Sequence, residues 1–110
     1  MVEEYIRNTI AEFNEKAKTD EKLKASLQNF ERVVVIKLDD GRAFHFLVSQ
    51  GRAGDLQKGA VENAQVVIES DAETVEKLCK REIRIMKAYA TRKLRIKASL
   101  EDIVRLRNFF

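Results

Sequence analysis

Apolar residues at Val2, Tyr5, Ile6, Ile10, Phe13 and Ala17 recur at three- and four-residue steps, with Glu3, Glu4, Arg7 and Glu12 between them. Such a stripe lies on one face of a helix, here of roughly 15 residues. Thr19 and Asp20 signal a second helix start, and Leu23, Leu27 and Phe30 form its stripe opposite Lys22 and Lys24. At Arg32 the period drops to two. Val34, Ile36 and Leu38 fall on one strand face, with Val33, Val35 and Lys37 on the other. Asp40-Gly41 predicts a hairpin through a type I′ turn, which needs positive φ at both central residues. The returning strand sets Phe44, Phe46 and Val48 against Ala43, His45 and Leu47. Gln50-Gly51-Arg52 predicts a turn into a weaker third strand near residues 53–57, ended by Lys58-Gly59, and residues 65–69 (QVVIE) read as a fourth.

Ser70 with Glu73 three residues later reads as a capping box opening a helix whose apolar face is Val75, Leu78 and Cys79. A short helix is expected over residues 86–90. Residues 91–98 (TRKLRIKA) alternate strictly, which predicts a fifth strand with Lys93, Arg95 and Lys97 on one face and Leu94 and Ile96 on the other. Ser99 then opens a last helix, with Asp102 three residues on and Leu100, Ile103, Val104, Leu106 and Phe110 as its apolar positions. Partly segregated helices and strands predict an α+β fold: one sheet of five strands with helices packed mainly on one face, in a single domain over residues 1–110.

Charge sharpens this picture in one place. The net charge of +3 is unevenly spread, since residues 81–110 hold nine of the Lys and Arg but only three of the Asp and Glu. Alternating cation and aliphatic in TRKLRIKA suits an edge strand guarded against aggregation. It also suits contact with an anionic head group or membrane surface. Nucleic acid is the least supported partner, because no aromatic interleaves with the cations to stack on bases. No apolar run approaches the ~20 residues of a membrane span. The acidic start and the single cysteine fit a cytoplasmic, reducing compartment.

Catalytic chemistry finds little footing. The one histidine, His45, falls on the outward face of its strand, and Cys79 follows an apolar helix pattern as a small buried hydrophobe does. One His and one Cys leave no ligand spacing for zinc, and no glycine-rich phosphate loop calls for a cofactor. A non-enzymatic protein without cofactors is the expectation.

The order DGRAFHF, SQGRAGDLQKG, NAQVVIESDAETVEKL, KAYA and RKLRIKASLEDIVRLRNFF resembles the sterol carrier protein type 2 domain family. The resemblance covers roughly residues 5–110. Three departures stand out: Arg92 and Ala98 replace the glycines that usually flank the last strand, Ile85 and Met86 stand where a proline is common before the short helix, and the chain stops at Phe110 where lipid-transfer members often continue. The resemblance implies an α+β fold with a five-stranded mixed sheet and helices packed mainly on one face, and one apolar ligand held between sheet and helices: a sterol, fatty acid, acyl-coenzyme A or phospholipid. Its walls would be drawn from Phe13, Phe44, Phe46, Ile68, Met86, Tyr89, Leu94, Ile96, Ile103, Val104, Leu106 and Phe110, with Arg92, Lys93 and Arg95 at an anionic head group. The same apolar residues would equally make a solid core. The alternative is therefore an accessory module with a filled core, pairing as a homodimer through apolar surface at Phe109 and Phe110 or assisting a partner enzyme.

Overall fold

The computed structural model describes all 110 residues. Helices α1 (Val2–Thr19) and α2 (Glu21–Ser26) open the chain. Asp20 separates them, its carboxylate accepting from the Leu23 N–H at 3.1 Å. Strands β1 (Arg32–Leu38) and β2 (Ala43–Ser49) form an antiparallel hairpin. β5 (Val66–Ser70) lies parallel to β1 on its other side, and β6 (Arg95–Lys97) closes that edge antiparallel to β5. The sheet is mixed, and these four strands run in the order β2-β1-β5-β6.

The third strand is two short pieces, β3 (Arg52–Ala53) and β4 (Gln57–Lys58), both paired with β2. Three residues between them, Gly54 to Leu56, face the two residues Phe46 and Leu47. One extra residue makes a β-bulge, which breaks the ladder and re-aims the edge. Asn14 of α1 closes that edge: its side-chain amide donates to the Ala53 carbonyl and accepts from the Ala53 N–H, each at 2.8 Å.

Two turns exchange the expected geometry. Asp40 has negative φ, so Asp40-Gly41 is not type I′; only Gly41 is left-handed, at +95°. Gly41 N–H donates to Leu38 and Leu38 N–H to Arg42, which is the three-residue loop ending in a left-handed glycine. Positive φ at both central residues occurs instead at Gln50 (52°) and Gly51 (78°), between paired Ser49 and Arg52.

Helix α3 (Ala72–Cys79) is capped by Asp71, not by Ser70. Asp71 accepts from the Thr74 N–H at 2.7 Å, while Ser70 is the last residue of β5 and donates its hydroxyl to the Lys93 carbonyl at 2.9 Å. Ser70 is therefore spent on holding the entry to β6. The short helix α4 covers Ile85–Ala90, and α5 covers Leu100–Arg105 before a 3₁₀ turn at Leu106–Asn108. Ser99 caps α5 as expected, accepting from the Asp102 N–H at 3.2 Å.

The helices cover the sheet face carrying Val34, Ile36, Phe44, Phe46 and Ile68, and these join one continuous core. The opposite face shows Lys37, Leu47, Arg95 and Lys97 to solvent. The link from β4 to β5 crosses that face. His45 Nδ1–H donates to the Gly59 carbonyl and the Val33 N–H donates to Gln65 Oε1, both at 2.8 Å, and Val35 is fully buried on that side.

Candidate functional site

The space between helices and sheet is occupied by aromatic rings. Phe13 of α1 stacks on Phe109 with centroids 3.8 Å apart and planes within 9°. Phe46 of β2 meets the same Phe109 ring at 5.8 Å in a tilted arrangement. Phe109 is thus buried, and it does not provide the exposed pairing surface expected at the end of the chain; Phe110 is half-buried. Phe109 lies past the last regular helical turn, where three- and four-residue periodicity no longer tells inside from outside.

Helix α4 is a short, six-residue cover on this core. Ile85 and Ala88 press inward and are buried, Met86 lies half-buried against the edge of the core, and Tyr89 turns outward. Its N-cap, Arg84, makes no side-chain capping bond. Its end is a Schellman motif: Arg92 N–H donates to Tyr89 and Lys93 N–H to Ala88, with Arg92 at φ 63°. The substitution of Arg92 for glycine therefore falls at a left-handed position. Helix α3 ends the same way on Arg81, at φ 62°.

Open recesses flank α4 on both sides. One, of about 540 Å³, is lined by Tyr89, Ala90, Arg92, Leu94, Arg95 and Ile96. The other, of about 640 Å³, is lined by Arg81, Ile83, Arg84, Ile85, Met86, Arg107 and Phe110. Both volumes lie in the range of small-molecule sites.

The structure divides the residues named from sequence into three groups. Phe13, Phe44, Phe46, Ile68, Ile103 and Leu106 are buried in the core. Tyr89, Arg92 and Arg95 come together at the smaller recess, with Leu94 and Ile96, themselves buried in the core, as its floor, and Met86 and Phe110 line the larger one. Val104 is 45% exposed on the outward side of α5, beside Leu100 at 75%, and Lys93 is exposed outside both recesses. Arg81, Ile83 and Arg84 sit on turns outside any periodic stripe, and only the run KREIR at residues 80–84 marks them in the sequence; Arg107 belongs to the basic C-terminal segment, which does not by itself point to a recess.

Charge around the last strand is partly answered. Arg95 lies 3.7 Å from both Glu69 and Asp39, and Lys97 lies 3.7 Å from Glu69. Exposed pairs of this kind contribute about 0–1 kcal/mol each, which suits a guarded edge. A tighter cluster ties α5 to β1. Asp102, 3% exposed, accepts from Arg32 at 2.8 Å and Arg105 at 3.3 Å, and both guanidiniums lie over the Phe30 ring at 4.7 and 4.8 Å. Asp102 thus serves as an anchor rather than reaching back to its own helix start.

His45 and Cys79 are on opposite sides of the sheet, since His45 faces the crossing link and Cys79 packs against the helical core. Burial pushes the Cys79 thiol up from its ordinary range, away from the reactive thiolate.

The model of the SCP-2 sterol transfer family matches residues 10–110. The chain belongs to this family. Its members are lipid-binding and lipid-transfer domains, generally without catalytic activity of their own. No curated protein matches the chain. Among solved structures, a sterol carrier protein-2 from Aedes aegypti in complex with palmitate aligns over 99% of this chain and 94% of its own, at 13% identity and a TM-score of 0.67. A UbiJ-SCP2 ubiquinone synthesis protein aligns over 94% and 90%, at 11% identity and 0.70. The sec-alkylsulfatase Pisa1 from Pseudomonas sp. carries the same fold over 80% of this chain, at 9% identity and 0.64, but the match spans only 14% of that enzyme. These likenesses establish the fold. No helix is long and apolar enough to cross a membrane.

Proposed function

We propose that the chain binds a single-tailed anionic lipid at the recess between α4 and β6 and carries it without chemical change. The observation that supports this most directly is the company kept there: half-exposed Tyr89 over a floor of buried Leu94 and Ile96, beside unpaired Arg92 and an Arg95 only loosely shared with Glu69 and Asp39. A fatty acid or acyl-coenzyme A presents both a tail for the first set and an anion for the second, and palmitate is the ligand in the Aedes aegypti relative. The aromatic stack fills the centre, so the tail lies along the recess, and deeper entry requires α4 to lift. Its start has no side-chain cap bond, so the lift begins at Arg84 and works against the burial of Ile85 and Ala88.

Burying eight to ten methylenes contributes about 6–8 kcal/mol before ordering costs. That sum sets a ceiling near micromolar binding, with loose selectivity for the tail. Exposed Leu100 and Val104, one turn apart on α5, give the molecule an apolar surface for collecting ligand from a membrane. Replacing Arg92 and Arg95 together by alanine should weaken binding of an anionic lipid roughly tenfold while sparing a neutral lipid with the same tail. Unchanged affinity for the anionic lipid in a calorimetric titration would remove these two residues from the site.

The packed Phe13–Phe109 pair favours a second reading, an accessory module with a filled core. The fold's occurrence in a ubiquinone synthesis protein and within a sulfatase is consistent with such a role beside enzymes.

A further inference from the structure

The larger recess is on the other side of α4 and has its own character. Three arginines line it from separate places: Arg81 after α3, Arg84 at the start of α4, and Arg107 in the 3₁₀ turn. Most arginines of this chain find a carboxylate; Arg32, Arg42 and Arg7 hold theirs at 2.7–2.8 Å. Arg84 and Arg107 have none within 4.0 Å, and Arg81 has only Glu12 at 3.9 Å. Like charges gathered at one recess repel, and an anion placed among them removes that cost. The guanidinium fork matches carboxylate and phosphate oxygens two at a time. The floor is apolar, with Ile85 buried beneath half-buried Ile83, Met86 and Phe110. Methionine adapts its shape to irregular chains.

We infer that this recess is a second ligand site, which takes the acid end of a long-chain amphiphile, carboxylate or phosphate, on Arg84 and Arg107 with its tail on Met86 and Phe110. A small inorganic anion would satisfy the arginines but leave the floor unused. A neutral lipid would do the reverse. The site adds to the lipid-binding reading above, on which it rests for the class of ligand, and it uses none of the residues of the α4–β6 recess. The chain then holds two anionic lipids, one on each side of α4.

The test counts bound ligand and measures affinity for the full chain with oleate, oleyl alcohol and inorganic phosphate. The wild-type chain should bind two oleates by native mass spectrometry. R84A/R107A should retain one, its second binding weakened roughly tenfold or more, with oleyl alcohol unaffected. R84K/R107K, which keeps the charges, should recover most of the loss. Neither arginine makes a hydrogen bond or ion pair through its side chain, so the melting temperature should not move, and the lysine variant guards against any fold defect. R92A/R95A should still bind one oleate through Arg84 and Arg107. Two oleates bound by R84A/R107A with unchanged affinity would overturn the inference, as would a single oleate in the wild type lost only in R92A/R95A. Phosphate binding as tightly as oleate, and lost in R84A/R107A, would make this a site for a free anion and also overturn it. Loss of oleate in R84A/R107A but not in R92A/R95A would sink the α4–β6 assignment and leave this one standing.

Discussion

Single residues carry two of the clearest tests of how this chain holds together. Asp71 accepts from the Thr74 N–H and hydroxyl, and the backbone bond is the main reason its carboxyl is held below the usual carboxylate range. D71A should cost about 1 kcal/mol in a denaturant titration. Because the folded carboxyl is depressed below its unfolded value of 3.8, its contribution is full above that pH and disappears as pH falls through the lower folded value. S70A should instead disturb the Lys93 carbonyl and leave the α3 start alone, since the hydroxyl points there. Arg92 sits at φ 63°, where a side chain costs about 1 kcal/mol relative to glycine. R92G should therefore raise thermal stability and, by deleting a cation of the α4–β6 recess, lower affinity for an anionic lipid. Opposite movement of the two properties separates a strained functional residue from a merely tolerated one. If R92G lowers stability, the left-handed assignment for that position is wrong.

At the scale of elements, Asn14 joins α1 to the sheet by answering both backbone groups of Ala53, which is itself buried. N14A should cost about 2 kcal/mol, because a donor and an acceptor at a buried edge then lack partners. A cost near zero in chemical denaturation would show that water reaches the edge. This contact illustrates what the sequence could and could not disclose. Helix stripes and strand alternation were legible because both faces of each element obey one simple period, so α1, β1, β2, β5 and the α+β order follow from the pattern. Asn14 lies on the polar side of a stripe and looks like any solvated residue until the bulge brings Ala53 beneath it. The bulge itself is one extra residue in a short weak strand, too small a shift for periodicity to register. The exchange of turn types has a similar origin. Asp-Gly and Gln-Gly each allow a tight hairpin, and strand register decides which pair is central.

For the molecule as a whole, the uneven charge noted in the sequence resolves into separate tasks. Arg95 and Lys97 guard the sheet edge with Glu69, Arg105 shares Asp102 with Arg32, and Arg84 and Arg107 stand unpaired at a recess. Only the family resemblance pointed from these apolar walls to a ligand, because a filled core and a lipid site need the same residues. The structure moves the question from the interior, where Phe13 stacks on Phe109, to the margins of α4. The most direct measurement is native mass spectrometry of the purified chain, before and after addition of a long-chain fatty acid. The account predicts a non-covalent lipid adduct that is present as isolated or forms on addition, and that is shed on collisional activation. A chain that stays bare under both conditions would contradict lipid binding and leave the accessory module as the better description.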